Sequence, residues 1–352
     1  MKFKSMHSLR LMALLLVFAF ALGACGSNSS SGSSSNVTVN LAYFPNLTHA
    51  VALVGWERGT FKSALGSNVT LNAKIFTAGP AEIEALFAGD IDIGFVGPNP
   101  AINGYVKSHG AALRIISGAS SAGVQFIVRP GANIKTAADL AGKKIADPQV
   151  GGTQDVALRY YLQQHGLKPA DKGGNVQIVP TDPATILTLF KEGSIDGAWV
   201  PEPWATRLIV EGKGQVFLNE NSLWTDGKFT TTDVIVRTQF LNAHPDLVNK
   251  FLQATVDTVQ YIQSNPQSAM TIANSELKRL TGKAIASSEI SQAFNDLQIT
   301  YDPLASTLLI SADRAYTLGY LGTSQPDLNG LYDLGPLNSV LNGKGMATVA
   351  GP

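Results

Sequence analysis

Two stretches of this sequence echo one another: residues 86–101, LFAGDIDIGFVGPNPA, and residues 189–205, LFKEGSIDGAWVPEPWA. Each reads as a last helical turn ending in Leu-Phe, a glycine stop at Gly89 or Gly193, and a short apolar strand running into a proline-rich loop. With a one-residue slip, Asp92 falls against Asp196 and Val96 against Val200. A separation of about a hundred residues is too long for a solenoid repeat and suits one copy in each of two α/β lobes. Ligands of open α/β sheets sit beyond the carboxyl ends of the strands. Gly97-Pro98-Asn99-Pro100 and Pro201-Glu202-Pro203-Trp204 both fall there, so two lobes facing each other across a cleft are expected.

The first 24 residues read as a targeting segment: Lys2, Lys4 and Arg10 precede an apolar run over residues 11–22 that is too short for a permanent span. Leu22-Gly23-Ala24-Cys25 matches a bacterial lipobox, and Cys25 is the single cysteine of the chain. Cys25 is therefore read as a lipidation site, which excludes intrachain disulfides and cysteine-cluster metal sites. Residues 25–36, rich in Ser, Gly and Asn, form a tether unable to bury apolar surface. Without the targeting segment 23 basic residues face 26 acidic ones, and only 15% of the chain is charged, which argues against nucleic-acid binding.

The remaining length exceeds one ordinary core. Strand and helix alternate through its first half: strands at residues 37–43, 69–76, 91–96 and 113–117, with helices between them, predict a mostly parallel sheet. The small-residue stretch Gly118–Gly123 is read as a crossing to the second lobe, built from strands at 125–128, 143–146, 176–179 and the echo segment. Residues 230–237 return as a strand, with a second crossing at 227–232. Helical patterns over 247–262, 268–280, 287–297 and 304–321 then follow, expected to pack on the first lobe. The domain expectation is lobe one from residues 37–120 plus 232–345 and lobe two from 121–231, able to close like a jaw.

Five helix starts fall at strand ends, after Tyr43, Phe76, Val96, Val150 and Val179, most with a Ser, Thr, Asn or Asp cap. Their unpaired N–H groups and partial positive charge hold an anion without lysine or arginine. Trp199, on a strand, is assigned to core, while Tyr43, Phe44 and Trp204 are rim aromatics, Trp204 the best placed for ligand contact. Glu202 is expected to face solvent unless the ligand carries an amine. No metal-ligand spacing, nucleophile elbow or P-loop occurs, so no enzyme, metal or cofactor is expected.

Lipobox, serine tether, LAYFPNLTHA, AGPAEIEALFAGDIDIGFVGPNPA, DLAGKKIADPQVGGTQDVALRYYL and LFKEGSIDGAWVPEPWATRL, in that order, resemble the substrate-binding proteins of ABC importers. The branch is that for nitrate, sulfonate and taurine, with the NMT1/THI5-like thiamine-precursor binders. The resemblance covers roughly residues 37–322. It implies a two-lobed periplasmic-binding-protein fold of type II, extracytoplasmic and lipid-anchored, a monomer that delivers one small solute to a permease and its ATPase. The ligand contacts it implies are Asn46, Thr48, His49, Gly79, Pro98, Asn99, Ser120, Ser121, Gly152, Thr153, Gln154, Asp182, Glu202 and Trp204. The expected solute is a small anion such as an aliphatic sulfonate, taurine or nitrate. The alternatives are a pyrimidine-like heterocycle, for which Asp182, Glu202 and Trp204 would serve, or an enzyme or sensor on the same scaffold.

Overall fold

Alternating β-branched and polar residues make Val37–Tyr43 (β1) a strand, and the same pattern recurs down the chain. The computed structural model describes residues 36–352, which form one compact unit. The signal peptide, Cys25 and most of the tether lie outside the described residues. The further strands are Val69–Ile75 (β2), Ile93–Val96 (β3), Leu113–Ala122 (β4), Val124–Val128 (β5) and Lys144–Asp147 (β6). They continue with Gln177–Pro180 (β7), Gly197–Pro201 (β8), Gln215–Asn219 (β9), Thr230–Arg237 (β10) and Leu297–Ile299 (β11). Two mixed sheets result, ordered β11-β4-β10-β3-β1-β2 and β7-β6-β8-β5-β9.

The two sheets share one plan. In each, three parallel strands carry the first strand in the middle, and an antiparallel strand, β10 or β5, lies beside the third. Those antiparallel strands are the ones the chain enters from the other sheet. Gly123, at φ 72°, is the single residue between β4 and β5.

The echoed aspartates mark the duplication. Asp92 Oδ2 accepts from the Asn40 backbone N–H at 2.9 Å and Oδ1 pairs with Arg237 at 2.6 Å. Asp196 Oδ2 accepts from the Lys144 N–H at 2.9 Å and Oδ1 pairs with Arg129 at 3.3 Å. Each arginine also donates Nε to the carbonyl before its aspartate, Ile91 or Ile195, at 3.2 Å. Each node locks the start of the third strand to the first and to the end of the antiparallel strand.

Alternate residues of sheet one feed opposite cores. Leu41, Val234 and Val236 face helices Ala50–Glu57, Thr60–Leu65 and Pro245–Ser264, where Phe61 stacks on Phe251 at 4.6 Å. Ala42 and Ile235 face helices Gly79–Ala88, Pro98–Lys107 and Ala305–Thr317. Each fully buried phenylalanine contributes about 2–3 kcal/mol of transfer free energy.

The expected crossing falls at the last residue of the small-residue stretch, Gly123, and the residues before it are strand. β4 continues through Gly118, Ala119, Ser120 and Ser121 to Ala122, pairing with both β10 and β11. Small residues stand there because another chain segment lies against them: a Cβ on Gly118 would meet the Asp302 carbonyl. The helix expected over 287–297 stops at Asn295, and the next residues form β11. Helices Trp204–Val210, Thr238–Ala243 and Gly335–Gly343 were not anticipated from periodicity.

Candidate functional site

Four helix starts converge where the two sheets face each other. The 3-10 turn Leu47–His49 leads into helix Ala50–Glu57, and helices Gly79–Ala88, Pro98–Lys107 and Thr153–Gln164 begin beside it. The last three have Ala78, Gly97 and Gly152 as N-caps, none with a side chain bonded back to the first turn. This corrects the expectation of hydroxyl and amide caps. Such helix starts have no side chain of their own at the orphan N–H groups. The fifth expected start, helix Pro183–Lys191, is closed by its own residue: Asp182 Oδ1 accepts from the Ala184 and Thr185 N–H groups, each at 3.1 Å.

Between the four lies a cavity of about 40 Å³. That is roughly room for two or three waters, or one compact polyatomic group. Phe44, Asn46, Thr48, His49, Thr77, Ala78, Gly79, Gly97, Pro100 and Thr231 wall it from the first half, and Pro148, Gly152, Thr153, Gln154 and Pro201 from the second. No Asp, Glu, Lys or Arg is among them.

His49 is buried against Phe44, with ring centroids 4.3 Å apart. Burial lowers its imidazole to about 3, so it is neutral at ordinary pH. Its Nδ1 accepts from the Phe44 N–H at 3.3 Å, which leaves the proton on Nε2 as a donor at the wall. Asn46 has its Oδ1 occupied by the Trp204 indole N–H at 2.8 Å. The halves also touch where Leu47 N–H donates to the Glu202 carbonyl at 2.9 Å and where Tyr320 bonds Asp155.

Of the residues singled out in the sequence, Asn46, Thr48, His49, Gly79, Gly152, Thr153 and Gln154 line the cavity. The other seven do not. Pro98 opens its helix behind Pro100, which takes the wall position. Asn99 turns away and donates to the Ser311 carbonyl at 3.2 Å. Ser120 donates to the Thr48 carbonyl at 2.7 Å, and Ser121 accepts from the Phe229 N–H at 3.3 Å. Asp182 is spent on its helix cap.

Glu202, expected in solvent, is fully buried. Its oxygens accept from the Thr206 N–H and hydroxyl, each at 3.1 Å, so it plugs the start of helix Trp204–Val210. Burial raises its carboxyl to about 8, opposed by the Thr206 N–H bond. Trp204 is buried behind Asn46 rather than exposed to the cavity. Tyr43, expected at the rim, is core and donates to Glu276 at 2.6 Å, whereas Phe44 beside it does line the cavity. Trp199 is core as expected, donating to Glu220 at 2.7 Å. Thr77, Gly97, Pro148, Pro201 and Thr231 were missed, although all sit within two residues of a strand end.

The sequence matches the model of the NMT1-like family over residues 32–275. It is 26% identical over 271 residues to a putative binding protein of Brucella abortus, covering 74% of this chain and 81% of that protein. It is 30% identical over 230 residues to the taurine-binding periplasmic protein of Escherichia coli, covering 65% of this chain and 68% of that one. The fold superimposes on the alkanesulfonate-binding protein of Xanthomonas axonopodis bound to MOPS, with TM-score 0.70 and 17% identity over 85% of this chain and 98% of that chain.

Proposed function

The chain belongs to the NMT1-like family, and from that premise we propose that it is the extracytoplasmic solute-binding component of an ABC importer, capturing a small monoanion. Alkyl sulfonates of taurine's size are the proposed class. The carrying observation is that four helix starts, none with a side-chain cap bond, meet at a small cavity without a charged side chain. Each helix start contributes about 0.3–1 kcal/mol to an adjacent negative charge, more where water is excluded. Dehydration cost grows as the square of the charge, whereas attraction to the helix dipoles grows linearly. A dianion such as sulfate is thus disfavoured against a sulfonate. The relatives' printed names, taurine- and alkanesulfonate-binding, support the same class.

The heterocycle reading loses its residues, because Asp182, Glu202 and Trp204 all lie off the cavity. The relatives are binding proteins, which supports a binder over an enzyme. Residues 37–122 with 230–345 and residues 124–229 are the jaws of this reading, joined at Gly123 and at the step from Phe229 to Thr230, within two residues of the expected boundaries. Cys25 is the proposed lipid anchor.

Calorimetry on residues 37–352 with taurine, methanesulfonate, nitrate, sulfate and an aminopyrimidine tests the proposal. The expected order places a monoanionic sulfonate first and sulfate at least about tenfold weaker. Tight binding of the aminopyrimidine with no binding of any anion refutes it.

A further inference from the structure

We propose that Trp204, a residue that does not line the cavity, sets the cavity's polarity by holding the Asn46 side-chain amide in one orientation. An indole N–H donates and cannot accept. The amide atom facing Trp204 Nε1 at 2.8 Å is therefore the oxygen, and the Asn46 NH₂ is turned away from it. Asn46 lines the cavity, is 5% exposed, and its Nδ2 has no partner among the described residues. The wall consequently presents a donor there. Were the amide free to flip, the same side chain would present a carbonyl oxygen, repelling an anion and accepting from an amine or amide.

Trp204 is itself immobilised. The Arg207 guanidinium lies over its ring at 4.7 Å and is tied to Glu211 at 2.6 Å. The backbone before it is pinned by the Glu202 N–H to the Gly123 carbonyl and by the Glu202 carbonyl to the Leu47 N–H, both at 2.9 Å. Trp204 follows a strand of sheet two and Asn46 follows a strand of sheet one. The donor is thus oriented only when the two halves meet, so Trp204 is a positioning and specificity residue acting through Asn46. The inference rests on the anion reading for its effect on affinity, but the hydrogen bond itself is testable without ligand.

The experiment is a double-mutant cycle of Trp204→Phe and Asn46→Ala on the full mature chain. Taurine and methanesulfonate are titrated by calorimetry, and the same four proteins are melted without ligand. Each single variant is expected to weaken sulfonate binding about tenfold or more, as loss of a bond to a charged group does. The double variant is expected to bind no more weakly than Asn46→Ala alone. Trp204→Phe is also expected to narrow the preference for methanesulfonate over the neutral, amide-bearing methanesulfonamide. Additive losses in binding, or unchanged affinity in Trp204→Phe, overturn the inference. If the wild type binds no anion, the function proposal fails. The ligand-free melts then decide the clamp, since non-additive destabilisation supports it and additive destabilisation overturns it.

Discussion

A single methyl group placed at Gly97 tests whether the halves must meet for binding. Gly97 has φ −70° and ψ 159°, an extended conformation open to any residue, so alanine carries no backbone penalty. The added Cβ, however, would overlap Thr153 Oγ1 from the opposite half, with Thr153 Cβ at 3.4 Å and the Thr231 carbonyl at 3.6 Å. Relief requires either that the halves separate slightly or that Thr153 swings its hydroxyl out of the wall. Overpacking of this kind costs about 1–3 kcal/mol, and here the cost falls on the closed arrangement alone. Sulfonate affinity of Gly97→Ala should therefore drop about 5- to 150-fold. Melting without ligand should move by no more than about 2 °C, because separated halves remain folded. In a Thr153→Ala background, which lacks the overlapping oxygen, Gly97→Ala should have little further effect. Calorimetry and thermal denaturation on the four proteins give the answer. Wild-type affinity in Gly97→Ala, or an equal loss in both backgrounds, refutes the reasoning.

Three further outcomes are expected. Glu82 is fully buried with both carboxylate oxygens unpartnered, and burial pushes its carboxyl well above the usual 4.5. Its stability contribution is full below about pH 4.5 and is lost as pH rises toward the folded value, so Glu82→Gln should flatten the fall of Tm between about pH 5 and 8; an unchanged slope counts against it. Glu202, raised to about 8, is mostly protonated at neutral pH, and its carboxyl group lies off the cavity. Glu202→Gln should leave sulfonate affinity at pH 7 within about twofold and remove the loss of stability as pH rises through about 8, as paired titrations and melts across pH will read. Asp92→Asn should destabilise more than Asp196→Asn, about 2 against 1 kcal/mol in denaturant unfolding, because the side chain of Asp92 is 6% exposed and that of Asp196 22%; equal losses or the reverse order would refute burial as what sets the strength of the two nodes.

The duplicated plan was legible because it is written in local signals. Leu-Phe, glycine, aspartate, apolar run and proline recur in order, and Asp92 and Asp196 hold matching bonds in their sheets. The convergence of helix starts was legible for a similar reason, since strand ends of α/β sheets share a side. What each start does with its N–H groups was not. Asp182 closes its own helix and Glu202 closes another, whereas Ala78, Gly97 and Gly152 close nothing. That difference depends on which way a loop side chain turns, and no periodicity records it. Trp204 was placed in the cleft by its position after a proline loop, but its partner is 158 residues away. Gly118–Ser121 read as part of the crossing that Gly123 makes because small residues serve both joints and close packing, and only the segment around Asp302 distinguishes the two.

The uncharged wall of the cavity carries a consequence for where such a receptor can operate. Peptide N–H groups have no proton to gain or lose at ordinary pH, and His49 stays neutral until the medium is near pH 3. A pocket that relied on a histidinium would gain and lose its grip as acidity changed around it. If it holds a strong-acid anion as proposed, a pocket built from backbone keeps the same attraction for that always-ionised group in sour and alkaline surroundings alike. On the proposed reading the capture step follows solute concentration, and acidity acts on the protein's stability through buried carboxyls such as those of Glu82 and Glu202.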